Sequence, residues 1–279
     1  MTDSNEDVQN EQKERPDNLL RYFVKQYYQV QKRRIAVSNI NDSILDKGKF
    51  SPEMKEIQED LEQTESKMSR YMKKEVKNYD LWQEYLKDIR GIGHTLASAL
   101  IVEIDIEKAK HPSSLWRYAG LHVICPDCTN TVEKEYEMKD GSVETREVEV
   151  PVCVESDGKC AQCGADGIGA RRIKGVQSDW NTFLKDTCFL IGDSFVKQKG
   201  DAKEIGKGKY RKVYDESRAY YDEKYPEPEV VNGSKKYTDG HKHAMARRRT
   251  VKHFLADLHS VWREMEGLSN SDVYPHRND

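Results

Sequence analysis

The residues whose spacing most directly specifies chemistry are four cysteines in two Cys-x-x-Cys pairs, "CPDC" (Cys125, Cys128) and "CAQC" (Cys160, Cys163). The chain begins without the basic-then-apolar order of a signal peptide, and in a reducing compartment such pairs read as metal ligands rather than disulfides. Between them, "TVEKEYEMKDGSVETREVEVPV" alternates Val and Glu around an Asp-Gly turn, which is a β-hairpin pattern. Two thiolate pairs joined by strands make a zinc ribbon: four sulfurs close a tetrahedral structural site with no position left for water. A hairpin of that size lacks a core of its own, so the expected zinc supplies folding free energy. Cys153 is an alternative ligand, and Cys188 is left over.

A second chemically suggestive stretch is "KDIRGIGHTLASALIVEI", Lys87 to Ile104. Glycines one residue apart between helix-like runs tolerate positive φ and let a partner approach the backbone. They leave amides free at the start of the following helix, where an anion is favoured. With Arg90 and His94 flanking Gly91, Ile92 and Gly93, the stretch reads as a helix-hairpin-helix turn that holds nucleic-acid backbone without reading sequence. The alternative is that Gly91 ends one helix and Gly93 permits close packing.

Net charge is only −3, but positive charge is concentrated. It gathers at Arg171, Arg172 and Lys174, in the lysine-rich stretch 197–212, and at Arg247, Arg248, Arg249 and Lys252. Phosphate binding follows such local clusters rather than the total, although a charge run is also the ordinary composition of a solvated helix face. Tyr210, Tyr214, Tyr220 and Tyr221 lie among these cations, suited either to stacking on bases or to packing. The hairpin between the cysteine pairs carries seven acidic against three basic residues from Glu133 to Glu149, so it should face away from nucleic acid and toward a protein.

The surrounding pattern is helical. Leu20, Phe23, Tyr27, Val30, Val37 and Ile44 recur at helical steps. After Gly48, Ser51 is an N-cap with Pro52 at the first helical position, and Met54, Ile57, Leu61, Met68, Tyr71 and Trp82 continue at heptad-like steps. The chain therefore reads as mainly α, with an acidic disordered tail (1–16) and a helical hairpin or coiled-coil arm (17–88) that pairs within itself or with a second copy. A helix-hairpin-helix core (89–124), the inserted β zinc ribbon (125–168), a basic helical part (169–267) and a tail (268–279) follow. No run of about 18 apolar residues exists, so an intracellular, cytoplasmic protein without membrane contact is expected.

The order "YLKDIRGIGHTLASALIVEI", "SSLWRYAGL", "RRIKGVQSDWNTFLKDT", "YRKVYDESRAYY" and "HKHAMARRRTVKHFLADLHSVWRE" resembles the C-terminal domain of the Piv-type (DEDD) insertion-sequence transposases, the bridge-RNA-guided recombinases. The matching residues are Gly91, Ile92, Gly93, Tyr118, Ala119, Gly120, Leu121, Ile173, Lys174, Gly175, Lys242, Ala244 and Arg249. The resemblance implies a coiled coil leading into the glycine turn, a basic helix at "IKG" and a closing basic helix. Two departures bear on activity. The region before Ile89 has no strand patterning for the family's ribonuclease-H-like domain. The family's serine also has no counterpart in "GADGIGARRIKG", with Ser156 upstream and Ser178 downstream of its place. No catalytic residue is assigned.

The resulting expectation is binding of DNA or structured nucleic acid in a transposition or recombination system. The competing expectation is a protein-interaction scaffold in which the arm and the acidic ribbon bind partners.

Overall fold

Helix α1 (Ser4–Leu45) turns back at Gly48, where φ is +67°, onto helix α2 (Pro52–Glu75). The second helix starts as its sequence dictates: Ser51 accepts from the Met54 amide at 3.3 Å and Pro52 occupies the first turn. The hairpin closes on itself in antiparallel order. Asn41 donates to Gln58 at 2.7 Å, Gln31 donates to Glu65 at 2.9 Å beside the Arg34–Glu65 ion pair, and Phe23 stacks on Tyr71 at 5.5 Å. The computed structural model describes residues 4–138, 142–154, 159–165, 167–198, 208–231 and 234–270, with side chains from Leu19 onward. Residues 1–3 of the expected disordered tail lie outside these. From Ser4 the tail is part of α1, its Glu, Gln and Lys residues being good helix formers without a glycine among them.

The heptad pattern expected to reach Trp82 is broken. A short 3-10 turn (Val76–Asn78) follows α2, Tyr79 is extended, and α3 (Asp80–Glu84) starts anew. Val76, Leu81 and Leu86 are all buried. Five-residue steps cannot share one face of a straight helix, so the chain bends to bury them. Helix α4 (His94–Glu103) then packs against α1 and α2 with Ala97, Ala99, Leu100 and Val102 buried, and Arg21 donates to the Val102 carbonyl. These elements make one compact unit ending at Asp105.

The second unit begins at Ile106. Helix α5 (Pro112–Tyr118) leads into a small antiparallel sheet of order β2-β1-β3, built from β1 (Val123–Glu137), β2 (Val143–Cys153) and β3 (Ile168–Gly169). The hairpin register runs from Thr129↔Pro151 to Glu137↔Val143, and its Asp-Gly turn lies outside the described residues. Register shifts between Ile124 and Thr129, where "CPDC" is inserted. Alternation along β1 separates two faces: Ile124 packs with Ala170 and Trp180, whereas Cys125 packs with Val152 and Cys160.

Three helices complete this unit: α6 (Thr182–Lys197), α7 (Lys209–Lys224) and, after the short pair β4 (Glu229–Val231) and β5 (Ser234–Lys236), α8 (Asp239–Met265). Asn181 and Thr238 cap α6 and α8 by accepting from the Leu184 and His241 amides. Phe195, Tyr210 and Phe254 interlock with centroids 4.6 to 5.4 Å apart. At the far end His259 donates to the Ala109 carbonyl at 2.7 Å and Arg263 to that of Ile106 at 3.0 Å. No helix among the described residues is long and apolar enough to cross a membrane.

Candidate metal centre and cation cluster

The two Cys-x-x-Cys pairs converge. The Sγ atoms of Cys125, Cys128, Cys160 and Cys163 all lie within 4.8 Å of one another, and Cys125 and Cys163 are 3.6 Å apart. The local backbone aims amides at the sulfurs: Asp127 N–H donates to Cys125 Sγ at 3.4 Å. The amides of Cys163 and Gln162 hold the Cys160 thiol down at about 7. Burial raises Cys125, and hydrogen bonding to Cys163 followed by burial raises Cys128. Four converging sulfurs are the donor set of a tetrahedral site, so they fit a metal ion such as zinc.

Cys153 is not part of that group. At the end of β2 it meets His122 and Asp179, and the ligand atoms of these three also lie within 4.8 Å of one another. Sequence reasoning missed this convergence. Burial opposes charge on His122, but Asp179 and Cys153 outweigh it and raise the imidazole above its ordinary value. Cys188, the other leftover cysteine, is enclosed in α6, and burial pushes its thiol up to about 12. It is an inert core residue.

The basic residues fall into three groups. Lys209 and Tyr210 bond Asp257, Arg211 bonds Asp215 and Lys212 pairs with Glu216, so Lys209, Arg211 and Lys212 at the C-terminal end of the lysine-rich stretch are neutralised in place; residues 199–207 lie outside the described ones. Lys242 likewise pairs with Asp222 at 2.7 Å, and Arg247 with Asp193 while lying over the Phe189 ring. Arg171, Arg172 and Lys174 are exposed on a loop. The "IKG" segment expected to open a basic helix is a turn: Val176 donates to the Ile173 carbonyl at 3.2 Å, Gly175 has φ +81°, and the helix starts only at Thr182.

Lys185, Arg248 and Lys252 differ from all of these. Arg248 and Lys252 share one face of α8, and neither has a carboxylate within ion-pair reach among the described residues. Lys252 lies over the Trp116 ring at 5.2 Å, and Lys185 lies over Trp180 at 5.0 Å while donating to the Ala170 carbonyl. Burial, then the charge of Arg248, lowers Lys252 to about 8. Burial, Arg248 and Arg172 lower Lys185, with Asp186 opposing. Burial also lowers Arg248, Tyr221 opposing and Arg247 assisting. Half-desolvated cations that repel one another form a site that an anion would relieve.

The glycine turn belongs to the first unit. Gly91 has φ +100°, Gly93 is exposed, and α4 carries no side-chain cap, its first internal bond running from Ala97 to the Gly93 carbonyl. First-turn amides are therefore available, as at any uncapped helix start. Ile92 is buried and its amide donates to Ile89, so it anchors the turn. His94 bonds Ser69 at 2.9 Å, and burial followed by the Lys73 charge lowers it, leaving it neutral at pH 7. Arg90 is exposed. The helix before the turn is reduced to α3 and a 3-10 turn (Leu86–Asp88), shorter than the full partner expected.

The four tyrosines divide: Tyr210 and Tyr214 are buried, Tyr214 bonding His243 at 2.7 Å, whereas Tyr220 receives Arg249 over its ring at 5.3 Å. Ser178 makes no hydrogen bond to a base or carboxylate among the described residues, and Ser156 lies outside them. No family model matches the chain, and no curated protein matches it.

Proposed function

We propose that this protein binds the phosphate backbone of nucleic acid through its second unit, with Lys185, Arg248 and Lys252 as the central contacts and Arg171, Arg172, Lys174 and Arg249 around them. The observation that carries the reading is the packing of Lys185, Arg248 and Lys252 in mutual repulsion, without a carboxylate for either α8 cation. Such an arrangement costs stability unless an anion completes it. DNA is the proposed partner, and within the first unit the uncapped start of α4 after Gly93 is proposed as a separate backbone contact of its own. The motif resemblance supports assigning this binding to a transposition or recombination system. The four-cysteine site holds a structural zinc that fixes the hairpin.

The test is fluorescence anisotropy with labelled duplex and branched DNA, comparing the wild type with Arg248→Gln/Lys252→Gln and with the control Lys212→Gln. The reading expects at least a tenfold loss in the double variant and little change in the control. Equal losses in both would mean a diffuse surface effect instead.

A second reading has its own support. Tyr22, Ile35, Ile40, Leu45, Phe50 and Ile57 are exposed along the α1–α2 hairpin, with Phe50 at 62%. A second copy of the chain covering them would remove apolar area from water. Light scattering across concentration tests it: a mass that stays monomeric excludes self-pairing through the arm.

A further inference from the structure

We propose that His122, Cys153 and Asp179 form a second metal site, separate from the four-cysteine centre, that takes one zinc-class divalent ion on three protein ligands and keeps an open coordination position. The residues come from three separate segments: the approach to β1, the end of β2 and the loop before α6. Strand alternation explains why the two sites do not merge. Cys153 pairs with Ile124, whose face packs on Trp180, while Cys125 occupies the other face.

Both ring nitrogens of His122 and the Asp179 Oδ1 are buried without a hydrogen bond, Nε2 and Oδ1 facing each other only as an ion pair when the imidazole is protonated, and the two side chains are only 13% and 9% exposed. Native interiors rarely tolerate such orphans, and one explanation for them is an ion. His122 Nε2 stands 3.5 Å from Asp179 Oδ1, a separation expected of two ligands on one cation. The other carboxylate oxygen, Oδ2, accepts from Arg117 Nη2 at 2.9 Å and Nε at 3.2 Å. This bond orients the carboxylate while leaving Oδ1 facing the cluster, the usual support for a ligating carboxylate. Trp180 packs edge-on to the His122 ring at 5.7 Å and fixes its plane. One thiolate, one imidazole and one carboxylate make a borderline donor set suited to zinc, cobalt or iron(II), and three ligands leave a fourth position for water.

Cysteine, histidine and aspartate also compose a nucleophilic relay, and the geometry separates the two. In a relay the thiol and carboxylate bond opposite nitrogens of the ring, which holds them on the order of 6 Å or more apart, given hydrogen bonds of about 3 Å on each side. Here all three ligand atoms fall within 4.8 Å of one another. They converge on a point rather than spanning the imidazole.

The experiment is metal content of the full chain, purified from zinc-supplemented medium and dialysed into metal-free buffer, by plasma mass spectrometry. The expected result is about two zinc ions per chain in the wild type and about one in Cys153→Ser and in Asp179→Asn, each with the wild-type circular dichroism. Cobalt-substituted wild type gives a second reading that needs no variant to fold. Thiolate-to-cobalt charge transfer should grow in two steps, the four-thiolate step being several-fold the stronger. One ion per chain in the wild type, or two retained in both variants, would overturn the proposal. A single ion together with rapid, pH-dependent alkylation of Cys153 would overturn it in favour of the relay.

Discussion

The guanidinium of Arg248 lies against the backbone of Gly169: a methyl group there would stand 2.8 Å from Arg248 Cζ. Gly169 belongs to β3, the two-residue strand that pairs with Val123, so the sheet and the cation cluster share a wall. Its φ is not in the left-handed region, and the backbone accepts any residue. Gly169→Ala therefore displaces Arg248 without unfolding the unit. The expected outcome is weaker DNA binding with the salt slope reduced by about one, alongside an unchanged denaturant midpoint.

The depressed Lys252 ammonium makes binding pH-dependent in an unusual window. In the free protein it loses its proton near pH 8, whereas an ordinary lysine holds it to 10.5. A bound phosphate favours the charged form, so affinity should fall as pH rises above about 8, by up to tenfold per unit. Stability runs the other way. Between 8 and 10.5 the unfolded chain binds a proton that the folded chain does not, so this group's contribution to stability rises with pH there. Anisotropy titrations from pH 7 to 9.5 check it, and Lys252→Arg should flatten the profile.

Gly120 has φ +64°, and a Cβ there would stand 2.7 Å from Trp180 Cδ1. Gly120→Ala combines left-handed strain with displacement of a buried indole, for a cost of about 1–3 kcal/mol. A lower denaturant midpoint with unchanged slope is the expected reading in urea unfolding.

Removing metal should act locally. The hairpin opposes Glu133 to Glu147 and Lys134 to Arg146, pairs that repel, and it stands on the four-cysteine knot. Chelation should expose amides of β1 and β2 to rapid hydrogen exchange while α6 and α8, packed around Phe195 and Phe254, keep theirs.

What the sequence disclosed was whatever local chemistry writes in fixed spacing. The cysteine pairs, the Ser51–Pro52 helix start and the β-hairpin are each encoded within a few residues. The break after α2 was hidden because Trp82 continues a heptad, while the burial of Val76, Leu81 and Leu86 depends on what they pack against. His122, Cys153 and Asp179 carry no motif at all, since the ends of two strands and a loop bring them together. Basic clusters were visible, yet only contacts distinguish Lys242, neutralised by Asp222, from Lys252, which has no such carboxylate.

The most direct test of the central claim is the salt dependence of DNA binding by the full, zinc-loaded chain. With several phosphates contacted, the logarithm of affinity should fall against the logarithm of salt with a slope of about −3 or steeper. No binding at low salt, or a slope near zero, would contradict it.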